Sequence, residues 1–167
     1  MTGDAAALAR LAVRTLATRD LRLATSESLT GGGLGAAITS VPGSSAVYLG
    51  GVIAYVTPMK RVLSGVPREV LAAVGPVSGL TAAEMAFGVQ RITGADWAVA
   101  TTGVAGPEAQ DRHPVGEVWI CVVGPRVGSF EPAVQTIRHH FTGDREQIRA
   151  ATVEAALQML VTMLSPV

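Results

Sequence analysis

Apolar positions recur along this chain in two rhythms, one of helical spacing and one of short continuous runs. Over 4–18 an alanine-rich segment carries Leu8, Leu11 and Leu16 roughly on one side, which predicts an amphipathic helix. A short apolar run over 21–25 predicts a strand. It ends in the polar turn Ser26-Glu27-Ser28, after which glycines open a predicted helix over 30–40 with Leu34 to Ile38 on its apolar side. Val41-Pro42-Gly43-Ser44-Ser45 breaks that helix, and 48–55 reads as a second strand whose glycines permit close backbone approach. Pro58 suits the first turn of a helix carrying Met59, Lys60 and Arg61. Gly65-Val66-Pro67 separates it from a helix over 68–74, and a longer helix over 78–93 is read with Leu80, Met85 and Val89 inward. A third strand over 97–100 runs out into Thr101-Thr102-Gly103-Val104-Ala105-Gly106-Pro107, and a polar loop covers 108–114. Strands over 116–123 and 133–141 flank a turn at Gly124-Pro125, and Asp144 is placed to cap a final helix reaching about 164.

Helices and strands alternate through the first two thirds, and two consecutive strands follow. That order predicts one α/β domain over 1–167, a sandwich around a mixed sheet. Hydrophobic residues make up 49% of the chain but aromatics only 4%, so the core has to be built from Ala, Val, Leu and Ile. Thirteen basic and thirteen acidic residues cancel, which argues against nucleic acid as a partner. The only basic cluster, Arg138-His139-His140, is short. No run of 18 apolar residues exists and the first residues do not resemble a signal peptide, so no membrane association and a cytoplasmic location are expected. Cys121 lies in an apolar run and reads as a small buried hydrophobe.

Candidate chemistry starts at Ser28. A hydroxyl between a strand and a helix start sits beside N–H groups that lack intrahelical partners, and these hold an anion or a developing oxyanion. Capping by Ser26, Ser28 and Thr30 is the competing reading. Lys60 is the single lysine against twelve arginines. In so Arg-biased a chain it reads either as a surface lysine kept by chance or as a position where Arg cannot serve, because a partly buried lysine can lose its proton and act as a base. A neutral lysine beside a serine hydroxyl activates it, so Ser28 and Lys60 lean towards a Ser–Lys pair. Gly-x-Ser-x-Gly and Ser-x-x-Lys are both absent. His113, His139 and His140 show no metal-site spacing, and no metal or other cofactor is expected. Gly31-x-Gly33-x-x-Ala36 matches a loose dinucleotide-binding fingerprint, but no Asp or Glu stands between Glu27 and Glu69 to hold a ribose.

Several segments, in order, resemble the C-terminal domain of CinA proteins, a domain also found alone as nicotinamide-nucleotide amidase. They are Ser26-Glu27-Ser28-Leu29-Thr30-Gly31-Gly32, Val41-Pro42-Gly43-Ser44-Ser45-Ala46, and Gly50-Gly51-Val52-Ile53-Ala54-Tyr55 with Lys60. Gly75-Pro76-Val77-Ser78, Thr102-Gly103-Val104-Ala105-Gly106-Pro107, Pro114-Val115-Gly116 and Gly143-Asp144-Arg145 complete the set. The resemblance implies a three-layer α/β/α sandwich with a mixed, mostly parallel sheet, and hydrolysis of nicotinamide mononucleotide to nicotinate mononucleotide and ammonia. It implies Ser28 as nucleophile, Lys60 as base and Tyr55 as an active-site tyrosine. Glu27, Thr30, Gly31, Gly32, Thr102, Gly103 and Arg145 are implied to bind substrate, with backbone N–H groups near Thr30 to Gly32 facing the oxyanion. A pyridine nucleotide is the expected partner, and a homo-oligomer, a dimer, the expected assembly. The chain departs from the family pattern at Leu29, at Val56-Thr57-Pro58-Met59, at Gly79, at Glu108-Ala109-Gln110 and at His113. The alternative reading is a non-catalytic or altered-substrate domain of the same kind, binding a nucleotide or a protein.

Overall fold

The computed structural model describes residues 3–125 and 131–165. Helix α1 (Gly3–Thr18) leads into β1 (Leu23–Glu27), α2 (Gly33–Thr39) and β2 (Tyr48–Ile53). Three helices follow, α3 (Thr57–Ser64), α4 (Arg68–Val74) and α5 (Gly79–Thr93), then β3 (Trp97–Gly103), β4 (Glu117–Val123), β5 (Val134–His140) and α6 (Arg145–Leu164). The strands lie in one sheet in the order β2-β1-β3-β4-β5. β1 pairs in parallel with β2 and with β3, while β3–β4 and β4–β5 are antiparallel. Four of the five strands therefore run one way and β4 alone opposes them, a mixed and mostly parallel sheet.

Side chains alternate across the sheet and sort into two cores. Leu23, Val99, Val118, Ile120 and Val122 face α1, α2 and α6, whose Leu16, Leu34, Leu157 and Leu160 are fully buried. Each such leucine contributes about 1.5–3 kcal/mol by burial. Ala24, Ala98, Ala100, Cys121 and Val123 face α5, with α3 and α4 beside it. The result is the three-layer α/β/α sandwich. Cys121 is fully buried, and desolvation raises its thiol to about 11 against a lowering by Thr136, so it stays protonated. Among the described residues no helix is long and apolar enough to cross a membrane.

Two helix faces differ from the pattern read above. Leu11 is 45% exposed and Leu80 is 49% exposed, because α1 and α5 bury their small residues instead. Ala5, Ala9, Ala12 and Val13 bring α1 onto the core, and Ala82, Ala86 and Gly88 do the same for α5. At α6, Asp144 accepts the Gln147 N–H at 2.9 Å while the Gln147 side chain accepts the Asp144 N–H at 2.8 Å. That reciprocal cap stabilises the helix by about 1 kcal/mol and fixes Arg145 in its first turn.

Candidate active site

A cleft opens at the C-terminal ends of the three parallel strands. The connection leaving β1 goes to β2 on one side and that leaving β3 goes to β4 on the other, so the crevice between them is a switch point of the topology. The cleft encloses a cavity of about 110 Å³. Ser28, Tyr55, Lys60, Thr102, Gly103 and Arg145 all line it. Six of the residues that the sequence nominated are thus brought together; Glu27, Thr30, Gly31 and Gly32 do not line it.

Ser28 follows β1 directly and is 6% exposed. Its N–H donates to the Thr101 carbonyl of β3 at 3.0 Å, and its carbonyl accepts the Gly31 N–H at 3.0 Å. Behind it, Glu27 is a buried carboxylate that accepts N–H groups from Gly32 at 3.0 Å, Leu34 at 3.0 Å and Gly35 at 2.8 Å. Through these bonds it caps the start of α2. The same bonds correct the expected oxyanion site: the Gly31 and Gly32 N–H groups are already taken, by Ser28 and Glu27. Gly31 and Gly32 adopt φ +59° and +94°, which turns the chain into α2 without a Cβ penalty. Thr30 is buried, and its hydroxyl pairs with the Thr101 hydroxyl at 2.9 Å. Among the described residues the Leu29 and Thr30 N–H groups have no protein acceptor. Leu29 lines the cleft beside Ser28.

Lys60 is 2% exposed, the largest of the fully buried side chains. It sits on α3 four residues before Ser64, so the two share the helix face turned to the sheet. Ser64 pairs with Ser26 of β1 at 2.7 Å, and Lys60 Nζ donates to the Ala54 carbonyl at 3.3 Å. α3 approaches this closely because Gly88 of α5 lies against it; a Cβ there would fall on the Ser64 carbonyl. Among the described residues no carboxylate pairs with Lys60, and burial alone lowers its ammonium from the usual 10.5 to about 8. At about pH 8 half of it is neutral.

On the rim, Arg145 donates to the Gly106 carbonyl at 2.6 Å and to the Tyr55 hydroxyl in a close contact. It ties the β2–α3 connection to the loop after β3. Thr102 is fully buried and donates to the Pro76 carbonyl at 2.7 Å, so what it offers the cleft is backbone. Glu108, Gln110 and Thr57 add polar groups to the wall. The loop that carries Glu108 and Gln110 is anchored by Glu117, whose carboxylate meets His113 Nδ1 at 3.1 Å, Arg138 Nε at 3.2 Å and Trp119 Nε1 at 3.3 Å. That bond explains His113. His139 stacks on Phe141 at 5.2 Å and His140 is exposed, on the opposite face of β5. Among the described residues no group of His, Cys, Asp and Glu is arranged to hold a metal. Gly79 stands where the family pattern has glutamate, and a Cβ there would lie 2.9 Å from the Trp119 ring.

Sequence reasoning passed over Arg149. It lies behind the Ser28 turn and donates to the Leu29 and Thr30 carbonyls. Its spacing of four from Arg145, on one face of α6, was the available signal.

The family model for the CinA C-terminal domain matches residues 5–164. A CinA-like protein of Frankia casuarinae is 43% identical over 150 residues, covering 90% of this chain and 33% of the relative. One from Thermotoga maritima is 40% identical over 149 residues, covering 89% and 35%. This chain thus spans about a third of the length of these curated relatives. Among solved structures, a competence/damage inducible protein from Agrobacterium tumefaciens superposes with TM-score 0.92 at 35% identity, covering 99% of this chain and 98% of that one. A CinA superfamily protein from Klebsiella pneumoniae gives TM-score 0.87 at 36% identity, covering 96% and 97%. With that match along nearly its whole length, the chain belongs to the CinA C-terminal domain family.

Proposed function

We propose that this domain is an amidase that hydrolyses the carboxamide of a pyridine nucleotide, converting nicotinamide mononucleotide to nicotinate mononucleotide and ammonia. The observation that carries the reading is Lys60: a buried amine without a carboxylate partner among the described residues, lowered to about 8, lining the same cleft as Ser28. A structural lysine in a protein so rich in arginine has no need of that environment, whereas a general base does.

In the proposed reaction neutral Lys60 takes the proton of Ser28 Oγ as that oxygen bonds to the amide carbon. The Leu29 N–H, next to the nucleophile and lining the cleft, faces the oxyanion; one well-placed donor of this kind is worth about 3 kcal/mol. The C–N bond breaks and ammonia leaves with the proton from Lys60. Water then attacks the acyl-serine, Lys60 takes its proton and returns one to Ser28 Oγ, and the nicotinate carboxylate is released. Arg145 and the Thr102–Gly103 backbone, which line the same cleft, receive the ribose phosphate. Tyr55 packs with Arg145 at the rim and orients it.

The test is ammonia release from nicotinamide mononucleotide by the wild type, Ser28→Ala and Lys60→Arg. Turnover in the wild type that disappears in both variants is the expected result. Lys60→Arg keeps the charge and removes only the base. A folded wild type that releases no ammonia would sink this substrate.

A second reading has support in the cleft wall. Glu108 adds a carboxylate to the cleft that Arg145 also lines, and Thr57 and Pro58 stand where the family pattern has an amide and a carboxylate. Those residues favour a domain of altered substrate, or one that binds a nucleotide without turnover. Calorimetric titration of Ser28→Ala with nicotinamide mononucleotide separates the two: binding that survives loss of the nucleophile, with no wild-type turnover, selects the binding domain.

A further inference from the structure

Arg149 stands one helical turn beyond Arg145 and does not line the cleft, yet its guanidinium grips the turn that carries Ser28. Nε donates to the Leu29 carbonyl at 3.1 Å and Nη2 to the Thr30 carbonyl at 2.9 Å. The Gly31 N–H closes that turn on the Ser28 carbonyl at 3.0 Å, so Leu29 and Thr30 are its two central residues. In a four-residue turn the common types differ by rotation of the central peptide, here Leu29–Thr30. A trans peptide directs C=O and N–H in opposite senses. By holding the Leu29 carbonyl towards α6, Arg149 turns the Thr30 N–H away from α6 and fixes the plane adjoining the Leu29 N–H.

The other anchors do not perform that task. Thr101 holds the Ser28 N–H at 3.0 Å and the Thr30 hydroxyl at 2.9 Å, and Glu27 holds α2. None of them touches the Leu29 carbonyl. Arg149 is also permanently charged and meets two carbonyls through one planar fork, a geometry that a lysine does not reproduce. Its positive charge polarises the Leu29–Thr30 and Thr30–Gly31 peptides, and the second of these carries the Gly31 N–H that closes the turn on Ser28.

We propose that Arg149 is a positioning residue for acyl transfer at Ser28, holding the Leu29–Thr30 peptide so that the adjoining Leu29 N–H is aimed at the oxyanion. The proposal rests on Ser28 being the nucleophile.

The experiment is acylation of Ser28 by p-nitrophenyl acetate, a probe that needs the nucleophile and the oxyanion donors but no nucleotide recognition. The full chain is compared with Ser28→Ala, Arg149→Met and Arg149→Lys, following p-nitrophenol release against pH alongside thermal melting. Removing an oxyanion donor outright costs about a hundredfold or more, so misaiming one is expected to lower Ser28-dependent release by roughly tenfold in Arg149→Met. Arg149→Lys should fall between, since an ammonium keeps the charge but spans one carbonyl. The pH midpoint set by Lys60 should not move. Folded Arg149 variants as reactive as the wild type would overturn this inference alone, as would a rate loss explained by a moved pH midpoint. If Arg149→Met does not fold, full reactivity in Arg149→Lys with an unchanged midpoint has the same force. A wild type no faster than Ser28→Ala would instead refute the nucleophile, and this inference with it.

Discussion

Lys60 makes the protein less stable than it needs to be, and that can be measured without any substrate. Burial lowers its ammonium from 10.5 to about 8, a difference of about 3 kcal/mol between the two protonation states. In the unfolded chain the amine holds its proton up to its usual 10.5, and in the folded chain only up to about 8. Between those values the unfolded state binds more protons, so stability rises with pH across the window. Below pH 8 the folded chain carries the whole cost; above 10.5 the cost is gone. Lys60→Met keeps most of the stem volume and removes the charge. It also strips the Ala54 carbonyl of a 3.3 Å donor, a loss of about 1 kcal/mol. The variant should therefore be more stable than the wild type by about 2 kcal/mol at pH 7, while losing all Ser28-dependent turnover. Urea denaturation of both proteins at pH 7 and pH 10 measures this, and their difference cancels the other titrating groups. That difference should shrink and then reverse as pH climbs through the window. A Lys60→Met protein no more stable at pH 7, or a difference that does not change with pH, would refute the argument that Lys60 is a strained, proton-shedding amine.

Two further substitutions test how the site is held in place. Gly88→Ala puts a Cβ onto the Ser64 carbonyl where α5 crosses α3; it should cost about 3 kcal/mol or more and lower turnover by displacing Lys60, whereas a urea midpoint equal to the wild type would contradict the packing account. Glu27→Gln replaces the carboxylate that caps α2 through Gly32, Leu34 and Gly35; a loss of about 1.5–3 kcal/mol in denaturant titration is expected, and a change under about half a kcal/mol would mean that the cap is unimportant.

The layered fold was legible because strand and helix signals alternate cleanly, and the ends of α4 and the cap of α6 followed from Pro67, Gly75 and Asp144. Helix facing was less so. Leu11 and Leu80 look inward by hydropathy, yet the residues that set the closest approach in α1 and α5 are alanines and glycine, whose small size a hydropathy pattern does not register. The C-terminal ends of β1 and β3 were read short, whereas β2 and β5 were read long. β1 continues through Ser26 and Glu27, two polar residues that end an apolar run on paper but here find buried partners in Ser64 and the start of α2. β3 likewise runs on to Gly103 because β4 pairs with it that far. Lys60 was legible through composition alone: a lone lysine among arginines. Arg149 was not, since its bonds are to backbone carbonyls and nothing in residue type announces that.

The glycine-rich start of α2 shows why a strand–turn–helix pattern is not by itself an anion site. In the sequence it offers a row of unpaired N–H groups beside a serine, and a phosphate or an oxyanion is the natural occupant. In the structure an internal anion is already there: the Glu27 carboxylate takes the Gly32, Leu34 and Gly35 donors within a buried shell. A second negative group at that place would meet a like charge at short range in a medium of low dielectric. In the proposed reaction this disfavours a phosphate along α2 and leaves the rim, where Arg145 bridges Gly106 and Tyr55, as the place for it. The nucleotide's carboxamide then points down between Ser28 and Lys60, under the Leu29 N–H.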